Sequence, residues 1–447
     1  MPDIDMREHS AKPAYAWFVV AALSLLQVGS YIDRMVINLL VEPMRRDFQI
    51  SDTQVSLLLG FAFATFYAVM AIPAGRLVDK HSRVRIIVIG VLFWSVATLL
   101  CMVADGYWTL LFARMLVGLG EAALLPAALS ILSDYFRPGR LALATSVVTS
   151  ASFVGSGLAL VMAGYVLSQL PATEFVNLFV FGEVRTWQLA FGFASIPSLL
   201  FLGLFLFVKE PARTGLAKQK DTSASLRDAL EYLRADKAMW ISVFTAMSLV
   251  NAFQYGLTSW IPTFFIRTYG WTAGEIGQLY GMTFLVCATT GILTGGWLCD
   301  RLYGRFGRRT FVITPFISAV LTIPLVLTFA LAGSGLVSAI LVVPLTFFGT
   351  MAFGAAVAAI PSLAPNRLRG QLVAAYMLAG TLIGQGFGPW LIAVFTDYVM
   401  GDPMLISRSI AVVSTSLLAA AAAILAVGIR TIPRGNDIEA QIGETAA

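Results

Sequence analysis

The eleven residues Gly75-Arg-Leu-Val-Asp-Lys-His-Ser-Arg-Val-Arg85 set four cations and one carboxylate between two long apolar runs. Flanks of that kind confine the stretch to a short loop at a membrane face. The pattern returns in the second half of the chain as Gly296-Trp-Leu-Cys-Asp300-Arg301, followed by Gly304, Arg305, Gly307, Arg308 and Arg309, again between apolar runs. Gly75 matches Gly296 and Asp79 matches Asp300. A motif repeated at half the chain length means two copies of one membrane unit, the organisation of transporters built from internal repeats.

A helix needs about 20 apolar residues to cross a bilayer. Runs of that length lie near 14–41, 53–75, 84–104, 107–133, 140–168, 187–208, 238–266, 272–298, 310–331, 335–360, 370–396 and 405–429. The expected fold is therefore an all-α membrane protein of twelve transmembrane helices in two repeats of six. The expected domains are an N-terminal bundle at 1–208, a cytoplasmic linker at 209–237, and a C-terminal bundle with a short tail at 238–447. With 12% charged residues the chain holds about half the charge of a soluble protein. Its net charge of +5 does not mark a nucleic-acid binder, because the cations are spread over short loops. The tails and even-numbered loops carry 23 Lys or Arg against 5 in the odd-numbered loops, so both termini are expected in the cytoplasm. The first apolar run is long enough to stay as a span, so no cleavable signal is expected. Cys101, Cys287 and Cys299 have neither paired nor metal-ligand spacing.

Within the linker, Ser225-x-x-Asp228 reads as a capping-box-like start, and Leu226, Leu230 and Leu233 recur at helical spacing. A helix lying on the cytoplasmic membrane face is expected. Between the fifth and sixth runs, Pro171 to Arg185 has an apolar centre at Phe175 to Phe181, too short to span, and reads as an interfacial loop.

No phosphate-cradling Gly-x-x-x-x-Gly-Lys-Ser/Thr occurs, which excludes an ATP-driven pump of that type. Gly118-Leu-Gly-Glu-Ala-Ala123 fits a dinucleotide fingerprint only on paper, because it lies inside an apolar helix with no strand before it. No metal cluster, cofactor site or hydrolytic triad is expected, and the chain is not read as an enzyme. What stands out instead is charge inside the apolar runs. Asp33 and Arg34 lie in the first, Arg114 and Glu121 in the fourth, each at a cost of at least about 2.5–3.5 kcal/mol at mid-membrane depth. Arg114 and Glu121 are two helical turns apart on one face. Gln27, Tyr31, Arg34 and Asn38 form a stripe on the first helix. Such stripes need something other than lipid to face, and the expected geometry turns them toward each other across a cavity. In the second half the polar candidates are Asn251, Gln254, Tyr255 and Gln385, beside an apolar wall of Phe253, Phe347, Phe348 and Phe353. A cavity charged on one side and apolar on the other suits an amphipathic molecule with an ionic head.

The loop at Gly75, Leu77, Asp79, Lys80 and Arg83 resembles the loop between helices 2 and 3 of the major facilitator superfamily, with Ser82 in place of the second glycine and Val84 where a second cation is usual. Tyr31-x-Asp33-Arg34, Arg114-x-x-Val117-Gly-x-Gly-Glu121-Ala and Val154-Gly-Ser-Gly-Leu158 are similar to the Spinster branch, whose animal members move lysophospholipids and sphingosine 1-phosphate. The likeness is carried by the first six helices. It implies that Glu121 and Asp33 take part in proton coupling and that Arg34 and Arg114 pair with them or receive an anionic head group. The fifth helix lacks the Gly-Pro pair of drug antiporters, so that motif gives no support for export.

The expected function is secondary transport by alternating access, proton-coupled, of a lipid-like or amphipathic anion. A proton symporter of a sugar acid or aromatic acid and an uncoupled lipid transporter remain as alternatives. Gly75, Asp79, Arg83, Arg85, Asp300 and Arg308 are expected to gate the cytoplasmic side, with Asp79 and Asp300 as latches placed to satisfy a following helix N-terminus. The expected partners are substrate, protons and membrane lipids, and the expected setting is a monomer in the inner (plasma) membrane.

Overall fold

The computed structural model describes residues 13–136, 138–169, 175–179, 182–213 and 226–432. The apolar runs are helices. In the first repeat, spans 1 to 6 are Pro13–Leu39, Asp52–Lys80, Arg83–Met102, Tyr107–Tyr135, Leu143–Gln169 and Thr186–Leu206. In the second, span 7 runs through Lys237–Ile241, Ser242–Ala246 and Met247–Tyr269. The 59-residue helical stretch Ala273–Leu331 holds spans 8 and 9, and Gly335–Leu363, Gln371–Met400 and Pro403–Thr431 are spans 10 to 12. Span 7 is the least apolar of the set because Asn251, Gln254, Thr258, Ser259, Thr263 and Arg267 all lie buried along it. The turn into span 8 is written locally: Gly270 takes a left-handed φ of 69°, and Thr272 and Glu275 form a reciprocal capping box.

The chain divides into two compact units. One takes in the described residues up to Pro43 and those from Thr65 to Asp221. The other takes in Met44–Ala64 and the described residues from Thr222 onward. Inside the first unit, span 1 packs on spans 5 and 6, and span 3 on spans 4 and 6. Inside the second, span 7 packs on spans 11 and 12, and span 9 on spans 10 and 12. The same four pairings in both units are the structural form of the sequence repeat. Residues 44–64, in the first repeat by sequence, are built into the second unit.

Two breaks position the charged residues. Span 1 is α-helical to Met35 and tightens to a 3₁₀ turn over Val36–Leu39. Span 4 is helical over Tyr107–Glu121, opens at Ala122 and Ala123, and resumes at Leu124–Tyr135. Pro126 lies just beyond the opening. It has no N–H to give the carbonyl four residues back, which is Ala122. Asp33, Arg34 and Glu121 thus all sit at helix discontinuities.

The stretch from Gly75 to Arg85 is not mainly loop. Span 2 continues as helix to Lys80, and only His81 and Ser82 separate it from span 3. Span 8 likewise runs through Asp300 to Phe306. Exposed charged side chains do not stop a helix that leaves the apolar layer. The linker helix is Leu226–Ala235, held by Tyr232 Oη donating to the Leu363 carbonyl at 2.6 Å. Its expected cap, Ser225, lies outside the described residues. Between spans 5 and 6, Phe175–Leu178 and Gly182–Arg185 pair as an antiparallel hairpin.

Candidate functional site

The first unit closes around its four intramembrane charges. Arg34 Nη2 meets Glu121 Oε2 at 2.6 Å, and Ser30 Oγ donates to the same oxygen at 2.6 Å. Both partners are buried, and Glu121 Oε1 has no hydrogen-bond partner among the described residues. The Arg34 guanidinium lies 4.5 Å from the ring centre of Tyr31 and 5.4 Å from that of Tyr67, so two aromatic faces hold it as well as the carboxylate. The polar stripes of spans 1 and 4 therefore meet in direct contact here rather than across a space.

Asp33 precedes Arg34, and successive helical residues point about 100° apart. Its carboxylate turns away, toward spans 3 and 6. Oδ2 accepts from Trp94 Nε1 at 3.1 Å and from Ser198 Oγ at 2.9 Å, and Oδ1 has no partner among the described residues. Asp33 and Arg34 are not a pair with each other. Arg114 is fully buried and donates to two span 1 carbonyls, Asp33 O at 3.1 Å and Arg34 O at 3.2 Å. These carbonyls belong to the last turn of the α-helical part of span 1, where carbonyls need an outside donor. The four side chains carry two formal charges of each sign. Gln27 Nε2 donates to Ser152 Oγ at 3.1 Å, and Asn38 Nδ2 approaches Met35 Sδ at 3.6 Å. A Cβ at Gly155 would lie 2.5 Å from the Val28 carbonyl, so a small residue is needed where spans 1 and 5 approach.

The second unit gathers amides instead of charges. Asn251 Nδ2 donates to the Met247 carbonyl at 2.9 Å and Gln254 Nε2 to Thr258 Oγ1 at 3.3 Å. Gln254 Oε1 and Gln385 Nε2 are buried without partners among the described residues. Gln385 lies in a π-helical stretch of span 11, Gly380–Phe387, where Gly384 lets span 7 approach at Asn251 and Tyr255. The candidate amides on spans 7 and 11 are thus brought to one locality.

At the face of the loop between spans 2 and 3, Arg83 is almost fully buried. Its Nε meets Glu210 Oε1 at 2.6 Å, Nη2 donates to the Pro211 carbonyl at 2.7 Å, and Nη1 pairs with Asp134. Glu210 Oε2 also accepts from Val84 N at 2.9 Å and Ser82 Oγ at 2.7 Å. Burial pushes the Glu210 carboxyl up. The Val84 N–H, the Arg83 guanidinium and the Ser82 hydroxyl outweigh it and hold the group below its ordinary value. The expectation that Asp79 and Asp300 satisfy helix N-termini is corrected here. Span 3 is capped by Ser82 and Glu210, while Asp79 and Asp300 are exposed in the closing turns of spans 2 and 8. Arg85 is exposed, and Cβ atoms at Gly75 and Gly296 would meet nothing within 4 Å. In the second repeat Arg308 pairs with Asp236 at the start of span 7, and Arg309 reaches the Ile432 carbonyl after span 12.

A further cluster in the second unit escaped sequence reasoning. Asp52, fully buried, is held by Arg267 in fork-to-fork geometry, Nη1 to Oδ2 at 2.7 Å and Nη2 to Oδ1 at 2.8 Å, with Arg45 Nε at 3.0 Å from Oδ1. Thr53 donates through both N and Oγ1 to Asp397 Oδ2 at 2.7 Å. These contacts tie the start of span 2 to the ends of spans 7 and 11. The available signal was the Ser51-Asp-Thr-Gln54 capping box beside isolated charges at span ends.

Comparison with known proteins places this geometry in a family. The Major Facilitator Superfamily profile matches residues 23–389. An MFS-type efflux pump of Mycolicibacterium smegmatis is 27% identical over 390 residues, covering 87% of this chain and 86% of the relative. A sphingosine-1-phosphate transporter of Xenopus tropicalis is 28% identical over 273 residues, 59% of this chain and 50% of the relative. Among solved structures, a bacterial homologue of the human lysosomal transporter Spinster, inward-facing and unoccupied, superposes with a TM-score of 0.78 at 25% identity, over 94% of this chain and 96% of that one. The chain belongs to the major facilitator superfamily and is similar to proteins of its Spinster branch: it is an integral membrane transporter with a small-molecule substrate, not an enzyme.

Proposed function

We propose that the chain is a proton-coupled secondary transporter that moves a lipid-like or amphipathic anion by alternating access. The observation that carries this reading is the sealed Arg34–Glu121 pair at the discontinuities of spans 1 and 4. A guanidinium presents a planar fork that matches phosphate or carboxylate. Arg34 is the cation that balances the Glu121 carboxylate. An anionic head that draws Arg34 away leaves Glu121 in apolar surroundings, where it takes a proton, so anion and proton loading are linked. Asp33, held by Trp94 and Ser198, is the second proton-carrying candidate. Gln27, Tyr31 and Asn38 on span 1, and Asn251, Gln254, Tyr255 and Gln385 in the second unit, are proposed substrate contacts. Arg114 acts through span 1, whose last carbonyls it holds.

The lipid-like substrate is supported by the named activity of the sphingosine-1-phosphate transporter among the relatives. Gating is assigned to the cytoplasmic faces of the two repeats, with Arg83 and Arg308 as buried anchors and Gly75, Asp79, Arg85 and Asp300 as their exposed neighbours. Both termini are assigned to the cytoplasm on the cation distribution, and a monomer in the inner (plasma) membrane is proposed with them. The test is uptake of a lysophospholipid and of a small organic acid into proteoliposomes, with and without an imposed pH gradient. Accumulation of the lysolipid that follows the gradient supports the proposal. Accumulation of the organic acid alone, or lysolipid movement indifferent to the gradient, refutes it.

A further inference from the structure

The hairpin between spans 5 and 6 has an inverted turn chemistry. Surface turns are dominated by Gly, Asn, Asp, Pro and Ser, yet the described turn residue after the first strand is Phe179. Phe179 is fully exposed, and Phe175 on the same strand is largely so. Two short strands alone are marginal in water, so the base must hold them. It does: Val184 is buried, Arg185 N donates to Gln188 Oε1 at 2.9 Å, and Gln188 Nε2 donates to the Ala104 carbonyl at 2.6 Å. The polar side chains lie below the tip, with Asn177 paired across to Glu183 and the Arg185 guanidinium 5.8 Å from the Phe175 ring. Thus a clamped base carries a polar middle and an apolar aromatic end.

We propose that the tip of this hairpin inserts into the lipid interface of the leaflet opposite the loop between spans 2 and 3, fixing the adjoining ends of spans 5 and 6. Four strand residues extend about 13 Å, and the headgroup layer is about 5–8 Å deep on each side, so the reach suffices. Lipid is the occupant because the hairpin is continuous with surface that already faces it. Span 5 enters the hairpin past the exposed Tyr165, and span 6 leaves it toward the exposed Phe193 and Ile196. At that depth Asn177 and Glu183 fall among headgroups, and Phe179 falls at the acyl boundary that aromatic rings favour.

The experiment is a spin label on Phe179→Cys, with Cys101, Cys287 and Cys299 replaced by alanine, in the full chain reconstituted in lipid vesicles. Collision with oxygen is compared with collision with a water-soluble nickel chelate. The expected result is oxygen in excess at position 179 and nickel in excess for the same label on Glu183→Cys. Should the cysteine variants fold poorly, fluorine relaxation by the same two agents at a 4-fluorophenylalanine in position 179 gives the same comparison. Nickel in excess at 179 overturns the proposal, leaving the tip in water. Dipolar broadening between labels on separate copies at low protein-to-lipid ratio also overturns it, in favour of a second copy as occupant.

Discussion

The Asp52–Arg267 pair holds residues 44–64 inside the second unit, so weakening it should free the start of span 2. Removing one partner of a buried pair costs about 3–5 kcal/mol when the other charge is left alone. Here Arg45, 3.0 Å from Asp52 Oδ1, stays as a partner for the carboxylate, and Arg267 also loses its 3.1 Å bond to the Pro403 carbonyl. A net change of about 2–3 kcal/mol for Arg267→Gln corresponds to a shift of about 30- to 150-fold between attached and detached arrangements. The assay is pulsed electron resonance between labels at Gln54 and Tyr398, both exposed and both in the second unit. The substitution should add or enlarge a longer-distance population, and Asp52→Asn should do the same. Unchanged distance distributions in both variants, in protein that still folds, would refute the reasoning that this pair holds the segment in place.

Gly60→Ala should mimic that loosening by sterics alone, because the added Cβ would sit 1.9 Å from the Gln385 carbonyl oxygen; the same two labels check it. Arg114→Lys loses the two-nitrogen fork that spans the Asp33 and Arg34 carbonyls, and at about 0.5–3 kcal/mol per weakened or lost bond the thermal midpoint in detergent should fall, while substrate affinity of the folded fraction stays near wild type. Glu210→Gln should lower the thermal midpoint at every pH from about 5 to 8. The Glu210 carboxyl is held below its ordinary value in the fold, so its contribution is complete above the unfolded value of about 4.3 and is lost only as pH falls through the lower folded one. A Glu210→Gln effect that appears only at alkaline pH would contradict that sign.

The spans were legible because apolar length is a requirement that no tertiary context relaxes. Their ends were less so: Asp79 and Lys80 look like loop residues, but a helix leaving the membrane keeps its hydrogen bonds whatever side chains it exposes. Arg34 and Glu121 were legible for the opposite reason, since a charge in an apolar run is conspicuous. Their partners were not. Ser30, Tyr67, Trp94 and Ser198 are ordinary membrane-helix residues until folding aims them at Glu121, Arg34 and Asp33. The break in span 4 had a visible cause in Pro126, whereas the 3₁₀ turn after Met35 has no counterpart in the residues there. Asp52 and Arg267 are 215 residues apart, and nothing local announces their pairing. The direction in which Arg114 points, toward two span 1 carbonyls, is likewise a property of packing.

The central claim is that Glu121 couples anion movement to protons through Arg34. The most direct measurement is transport by Glu121→Gln in proteoliposomes, comparing exchange of labelled for unlabelled substrate with accumulation under an imposed pH gradient. The glutamine keeps the shape of the protonated acid but cannot release a proton. The account predicts exchange close to wild type and accumulation reduced to the level of equilibration. A variant that still concentrates substrate when the gradient is imposed would contradict it, and would move the proton to Asp33 or to another group.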